Sequence, residues 1–111
     1  MSDNPFAVIR WSELSPVITT GETGTVTERV AEVGGLRTRL VKFSANYRAN
    51  HWCSRGHIVF VLEGTLVTDL ADGRRVETPA GTGFQVGDGE PAHRSSADSG
   101  ATVFIVDQMG E

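Results

Sequence analysis

Short apolar runs of strand length, separated by glycine and proline, occupy most of this chain. Thirteen glycines and four prolines punctuate the 111 residues, and such punctuation is typical of strands joined by turns. The predicted strands are Val26 to Val33, Leu36 to Phe43, His57 to Glu63, Leu66 to Leu70, Arg75 to Thr78, Gly83 to Val86 and Thr102 to Asp107.

Turn signals separate these runs, and helical signals are nearly missing. Asp72-Gly73 predicts a hairpin, because glycine tolerates the positive φ of tight turns. Glu63-Gly64 is expected to end one strand before the next begins. A single helical turn is predicted at Trp11 to Leu14, with Ser12 as its cap. Many short, closely spaced strands predict an all-β sandwich or barrel.

The run from Ile58 to Leu62 is apolar on both faces. Strand alternation places His57, Val59 and Val61 on one side, and Ile58, Phe60 and Leu62 on the other. If the first side faces a barrel interior, something must cover the second. That cover is expected to be the N-terminal segment or a partner chain.

Length and charge limit the classes of protein that this chain can belong to. Residues 1–111 are expected to form one domain, in which residues 1–20 could be an edge strand or a strand exchanged between two chains. A net charge of −4 argues against binding to nucleic acid or to an anionic membrane. The densest basic group is interpreted as solvated; it comprises Arg37, Arg39, Lys42 and Arg48.

The chain carries no sign of export. One cysteine cannot form an internal disulfide, and no apolar run approaches the ~20 residues that span a bilayer. The first five residues have neither the basic start nor the apolar stretch of a signal peptide. The expected location is the cytoplasm.

The histidines and the cysteine are concentrated at two places. His51, Cys53 and His57 lie within seven residues, and His93 lies in a Gly/Pro-rich region downstream. On an extended segment, His51 and Cys53 would share a face roughly 7 Å apart, with His57 opening the next strand. Such N/S donors favour Zn, Fe(II), Ni or Cu over Mg or Ca, so the sequence predicts a transition-metal site.

A structural explanation is available for each residue taken alone. A single buried histidine is more often a hydrogen-bonded core residue, and a single cysteine is usually a small buried apolar group. Cys53 is therefore either a fourth ligand or part of the pocket wall. Trp52 is interpreted as packing rather than stacking on a substrate. Ser54 has no partners at the spacing of a catalytic triad.

From about Leu36 to Asp107, the chain resembles the cupin superfamily. His51-x-Cys53, three residues, His57, six residues and Gly64 follow the spacing of the first cupin motif. Cys53 stands where that motif has its second histidine, and His57 stands where it has glutamate. His93 matches the histidine of the second motif, although Asp88, Glu90 and Ala97 replace the motif's proline, glycine and asparagine. His51-Trp52-Cys53 also resembles the signature of small cupins named for His-Cys-Trp.

This resemblance implies a double-stranded β-helix, the cupin jelly-roll barrel, with a divalent transition metal (Zn, Fe(II) or Ni) inside and commonly a homodimer. The first hypothesis for function is a dioxygenase-like or isomerase-like metalloenzyme acting on a small molecule. The second is a non-catalytic module that binds or senses a metabolite or metal, and the third is a scaffold with a vestigial site. Cupins include all of these, so the fold does not select among them.

Overall fold

The computed structural model describes residues 6–89 and 91–108, which form a curled antiparallel sheet. A 3₁₀ helix at Trp11–Glu13 precedes nine strands in this part of the chain. The strands are β1 Val17–Thr20, β2 Thr25–Val33, β3 Leu36–Phe43, β4 Tyr47–Arg48, β5 His57–Leu70, β6 Arg75–Pro79, β7 Gly83–Val86, β8 His93–Ala97 and β9 Ala101–Gln108. The prediction of an all-β barrel is confirmed.

The sheet follows the order β1-β2-β3-β9-β5-β8-β4, with β6 and β7 also paired to β5. The first half of β5 pairs with β7 and β9, and its second half pairs with β6 and β8. Because β5 belongs to both halves, the sheet curls around it and encloses an interior. Every pair in the sheet is antiparallel, which suits strands joined by short turns.

The prediction that Glu63-Gly64 ends a strand is wrong. β5 runs unbroken for 14 residues, with an irregularity in its pairing to β9 between Val61 and Glu63. Gly64 has a φ of 77°, and a Cβ there would lie 2.3 Å from the carbonyl oxygen of Gly100. Glycine is thus needed for a bend and a close backbone approach where β5 passes from one half of the sheet to the other.

The Asp72-Gly73 hairpin is confirmed. It joins β5 to β6, with Asp69 opposite Arg75 and Gly73 at a φ of 102°. The helical turn is also present, but Arg10 occupies the N-cap position rather than Ser12, and no side chain caps it.

The core lies inside the curl, where alternate residues of β3, β5 and β9 meet. Val61 and Val103 are fully buried and lie opposite each other in the register of β5 and β9. Around them are buried Val41, Phe43, Tyr47, Val59, Leu66, Ala97, Ala101 and Ile105. The predicted inward direction of Val59 and Val61 is confirmed, and the same alternation sends His57 towards the interior.

The opposite face of β5 is open to solvent in the single chain. Ile58, Phe60 and Leu62 are 44–48% exposed. The N-terminal segment covers a neighbouring position instead, since the ring of Trp11 packs edge-on against Phe104 of β9 with centroids 5.9 Å apart. β1 pairs with β2 at the edge of the sheet within the same chain.

No helix among the described residues is long and apolar enough to cross a membrane. The cytoplasmic location stays a prediction. Residues 1–5, read above for targeting signals, lie outside the described residues. So does Glu90 of the second motif.

Candidate metal centre

Three of the four predicted ligands meet at one end of the barrel. His57 begins β5, His93 begins β8, and Cys53 lies in the loop that leads into β5. Cys53 forms an isolated bridge with His93, in which each backbone N–H donates to the other's carbonyl oxygen at 2.7 and 2.9 Å. These two bonds fix the cysteine beside the histidine although the loop itself is not part of a strand.

The side chains of this group lie within the distance that a metal ion can bridge. One potential ligand atom from each of Cys53, His57 and His93 lies within 4.8 Å of the others. The Sγ atom of Cys53 is 3.6 Å from Nε2 of His57. The two imidazole rings are nearly perpendicular, with centroids 5.2 Å apart, so their nitrogens can point to a common position.

Close backbone packing fixes the start of β5. The N–H of Gly56 donates to the Asp88 carboxylate at 2.6 Å, and a Cβ on Gly56 would lie 2.7 Å from the carbonyl oxygen of Val86. Glycine thus lets the loop before His57 lie directly against the residues after β7. The direction of the His57 side chain follows from this contact and from the register of β5.

A buried carboxylate lies behind His57. Oδ1 of Asp107, on β9, is 2.5 Å from Nδ1 of His57, and Asp107 is only 2% exposed. Its Oδ2 is 3.1 Å from Nε of Arg37 and 2.9 Å from Nε of Arg39. The interpretation of Arg39 as solvated is therefore wrong, and Arg37 is solvated only in part, because the inward face of β3 brings both to a buried anion.

These partners determine the charge of Asp107. Burial by itself raises the pKa of a carboxyl group, but the hydrogen bond from His57 and the charge of Arg39 outweigh it, so the pKa of Asp107 lies below its ordinary value. Arg39 is also paired with Glu28 at 2.9 Å. Asp107 is thus an ionised acceptor within a compact network of charges.

His93 is the most deeply buried of the three candidate ligands. Burial, and then the nearby His57, lower the pKa of His93 below its ordinary value, which favours the neutral imidazole that metals bind. Its Nδ1 atom is buried and has no hydrogen-bond partner among the described residues. An unpaired buried nitrogen is unfavourable, so Nδ1 requires a partner that the described residues do not supply.

His51 lies outside this group in the structure. The chain bends at Asn50 and His51, so the extended segment that was expected to place His51 and Cys53 on one face is not formed there. His51 is exposed, and its Nδ1 is 2.9 Å from Oδ1 of Asn50. Its role as a ligand stays a prediction.

A small cavity adjoins the group. It has a volume of about 220 Å³ and its lining includes Thr68, Leu70, Val76, Phe84, Pro91 and His93. The described lining residues include no Asp or Glu. Trp52, on the loop, is partly exposed and lies under the Arg94 guanidinium at 4.6 Å, so it packs on the protein's own surface.

Solved structures share this architecture. A predicted oxalate decarboxylase from Thermotoga maritima superposes with a TM-score of 0.79 at 17% identity, over 94% of this chain and 100% of that chain. An RmlC-like cupin from Shewanella frigidimarina gives a TM-score of 0.74 at 14% identity, over 99% and 96% of the two chains. The chain has the cupin fold.

Another structural neighbour of this chain carries a metal. Fe(II)-HppE with an alternative substrate superposes with a TM-score of 0.75 at 14% identity, over 92% of this chain and 60% of that chain. No family model matches the sequence, and no curated protein matches it. At these identities the likeness establishes the fold, and the chemistry must be argued from the residues of this chain.

The donors of this site suit a transition metal. One cysteine sulfur and two imidazole nitrogens form an N/S set, which Zn, Fe(II) and Ni accept and which Mg and Ca do not prefer. His93 has an unpaired nitrogen for such an ion. The residues present therefore fit a metal of the kind that the sequence predicts.

Proposed function

We propose that this cupin binds one divalent transition metal ion (Zn, Fe(II) or Ni) through Cys53, His57 and His93, and binds a small molecule in the adjoining cavity. The observation that carries the proposal is the convergence of these three donors within 4.8 Å, with a buried nitrogen of His93 unpaired. If the three residues only packed in the core, that nitrogen would remain without a hydrogen-bond partner.

The residues of the site have separate tasks in this proposal. His93 supplies a neutral nitrogen from the wall of the cavity, and Cys53 supplies sulfur from the loop. Phe84 and Leu70 give the cavity apolar surface, which limits water at the site. When bound, the metal would act as a Lewis acid or activate oxygen.

Catalysis on a small molecule is the first form of this function. Three protein ligands leave a metal with open coordination positions, as catalytic sites require. The described lining of the cavity offers no carboxylate as general acid or base, which favours oxygen chemistry at the metal over hydrolysis. A dioxygenase-like activity therefore has more support here than an isomerase-like one, which also needs proton transfer.

Binding or sensing without catalysis is the second form. His51 lies two residues from Cys53 in an exposed loop, and its approach to the metal would give a closed site of four protein ligands. Closed sites are typically structural. The number of protein ligands therefore distinguishes the two forms.

Metal content tests the proposal directly. Protein purified without an affinity tag is expected to contain close to one equivalent of metal per chain by mass spectrometry, or to take it up from added Zn, Fe(II) or Ni. His93→Ala is expected to lose that equivalent, whereas the control Asp69→Asn, at the Arg75 ion pair of the β5–β6 hairpin, should keep it. Wild-type protein that takes up none of these metals would exclude the proposal.

We also propose that the protein forms a homodimer through the open face of β5. Ile58, Phe60 and Leu62 are 44–48% exposed, so covering them would recover nearly half of the ~1.5–3 kcal/mol that full burial contributes per side chain. The described N-terminal segment does not cover them. Two-fold pairing of one such face with its copy is the commonest solution for an exposed apolar face. Exchange of residues 1–20 between chains is one way to build this pairing.

A further inference from the structure

Asp107 is the one buried carboxylate among the described residues that touches a candidate metal ligand. Two arginines hold its side chain in place. Arg37 lies directly opposite it in the β3–β9 register, and Arg39 lies one inward-facing position further along β3. Oδ2 is paired with both guanidinium groups, and Oδ1 faces His57 while also accepting a longer hydrogen bond from Nη2 of Arg39 at 3.3 Å. The side chain therefore cannot turn without breaking an ion pair.

The carboxylate also determines which nitrogen of His57 is free. A carboxylate held by two arginines is ionised and can only accept hydrogen bonds. A neutral His57 must then carry its proton on Nδ1 to form the 2.5 Å contact. Nε2 is then unprotonated and has a free lone pair. This is the atom that lies 3.6 Å from Sγ of Cys53.

We infer that Asp107 is a positioning residue that holds His57 in the Nδ1–H tautomer, with Nε2 aimed at the metal position between Cys53 and His93. The inference rests on the proposed function, since it assigns Asp107 a role in the same site. Partners of this kind orient ligating histidines and raise their basicity, and their loss typically costs 10–100-fold in metal affinity.

Asp107→Asn gives the inference a specific consequence. The amide oxygen of asparagine is expected to stay with Arg37 and Arg39, because its NH₂ group would repel their N–H donors. The NH₂ would then face His57 and donate to Nδ1, and the hydrogen bond that Oδ1 accepts from Nη2 of Arg39 in wild type would be lost. His57 would move its proton to Nε2, the atom needed for the metal.

The experiment measures two quantities separately: the tautomer of His57 in metal-free protein, and the affinity of the protein for Zn²⁺. Ring ¹⁵N NMR of wild-type protein stripped with a chelator, at a pH where His57 is neutral, is expected to show Nδ1–H. In Asp107→Asn it is expected to show Nε2–H, with Zn²⁺ affinity lowered 10–100-fold. Asp69→Asn, whose carboxylate pairs with surface Arg75, serves as the matched control and should match wild type in both measurements.

Two results would overturn the inference: an Nε2–H tautomer in wild type, which needs no variant to fold, or equal Zn²⁺ affinity in wild type and Asp107→Asn. Failure of the proposed function has a different signature. In that case wild type shows the Nδ1–H tautomer but binds none of the three metals.

Discussion

Each donor atom of the candidate site is held by a different local constraint. His57 is held by the register of β5 and by the Asp107 contact. His93 is held by burial at the start of β8, and Cys53 by two backbone hydrogen bonds to His93. Because the neighbours of Cys53 in the loop, Trp52 and Ser54, are exposed, Cys53 is the donor whose direction is least constrained by packing.

This difference predicts a ranking of variants. His57→Ala is expected to reduce metal occupancy more than Cys53→Ser, since His57 is fixed by packing and by a buried partner. Metal content by mass spectrometry after identical purification measures it. His51→Ala tests the remaining predicted ligand, and loss of metal there would show that the loop closes on the ion. Equal occupancy in wild type and His57→Ala would contradict the ranking.

The metal-free protein is expected to lose stability in acid. The pKa of His93 is lowered by burial, so below its ordinary value of about 6.5 the unfolded chain binds a proton that the folded chain resists. The stability that the folded protein gains from a neutral His93 is fully present above that pH and is lost as the pH falls. The pKa of Asp107 is also lowered, which adds a second loss below about pH 4.

Urea unfolding of chelator-treated protein at pH 7, 6 and 5 measures this effect. His93→Asn is expected to flatten the decline in the free energy of unfolding, whereas His51→Asn, at an exposed position, should leave its slope as in wild type. A slope that is unchanged in His93→Asn would contradict the assignment to His93.

The sequence was enough to predict most of the candidate ligands but not their support. Cys53, His57 and His93 were identified by the crowding of rare donor types and by cupin spacing. Asp107 was missed, although it shares the inward face of Val103 and Ile105 in β9, where a carboxylate requires partners. Its partners Arg37 and Arg39 are about 70 positions away along the chain, and no local pattern connects them.

At the scale of elements, the continuous strand β5 organises the barrel. It pairs with four other strands, and its bend at Gly64 brings the two halves of the sheet together. His57 lies at its first residue, so the site and the core share one strand. Damage to the bend is therefore expected to lower the stability of the whole barrel.

Gly64→Ala is expected to destabilise the protein more than Gly81→Ala. Both glycines have positive φ, at 77° and 89°, so both variants bear the conformational cost of about 1–2 kcal/mol. Only at Gly64 would the new Cβ also meet backbone, at 2.3 Å from the Gly100 oxygen, whereas nothing lies within 4 Å at Gly81. Thermal and urea unfolding of the two variants compare them, and equal losses would contradict this account of the bend.

Most strands were predicted, but β4 and β8 were missed and β5 was divided in two. Runs rich in Val, Leu and Ile gave β2, β3 and β9 nearly to the residue. β8, with the sequence His-Arg-Ser-Ser-Ala, was not predicted because it lacks apolar alternation and is recruited by pairing with β5. A positive-φ glycine within a strand has the same local signature as a turn, so Gly64 was misassigned.

At the scale of the whole molecule, the open face of β5 distinguishes a monomer from a dimer. Light scattering at micromolar concentration is expected to give about 24 kDa, twice the 11.9 kDa of the chain. Phe60→Glu is expected to shift the mass to that of one chain, because a charge at the centre of the apolar face opposes its burial. Ala71→Glu, at an exposed position in the β5–β6 turn and outside both the open face of β5 and residues 1–20, is the control. A wild-type mass near 12 kDa would exclude the dimer.

The most direct test of the metal site is X-ray absorption at the Zn edge of protein loaded with one equivalent of zinc. Ligation by Cys53, His57 and His93 predicts one sulfur at about 2.3 Å and at least two imidazole nitrogens at about 2.0–2.1 Å. Cys53→Ser is expected to lose the sulfur shell and keep the nitrogens. A wild-type spectrum with only oxygen neighbours, or with no histidine scattering, would contradict the proposed centre.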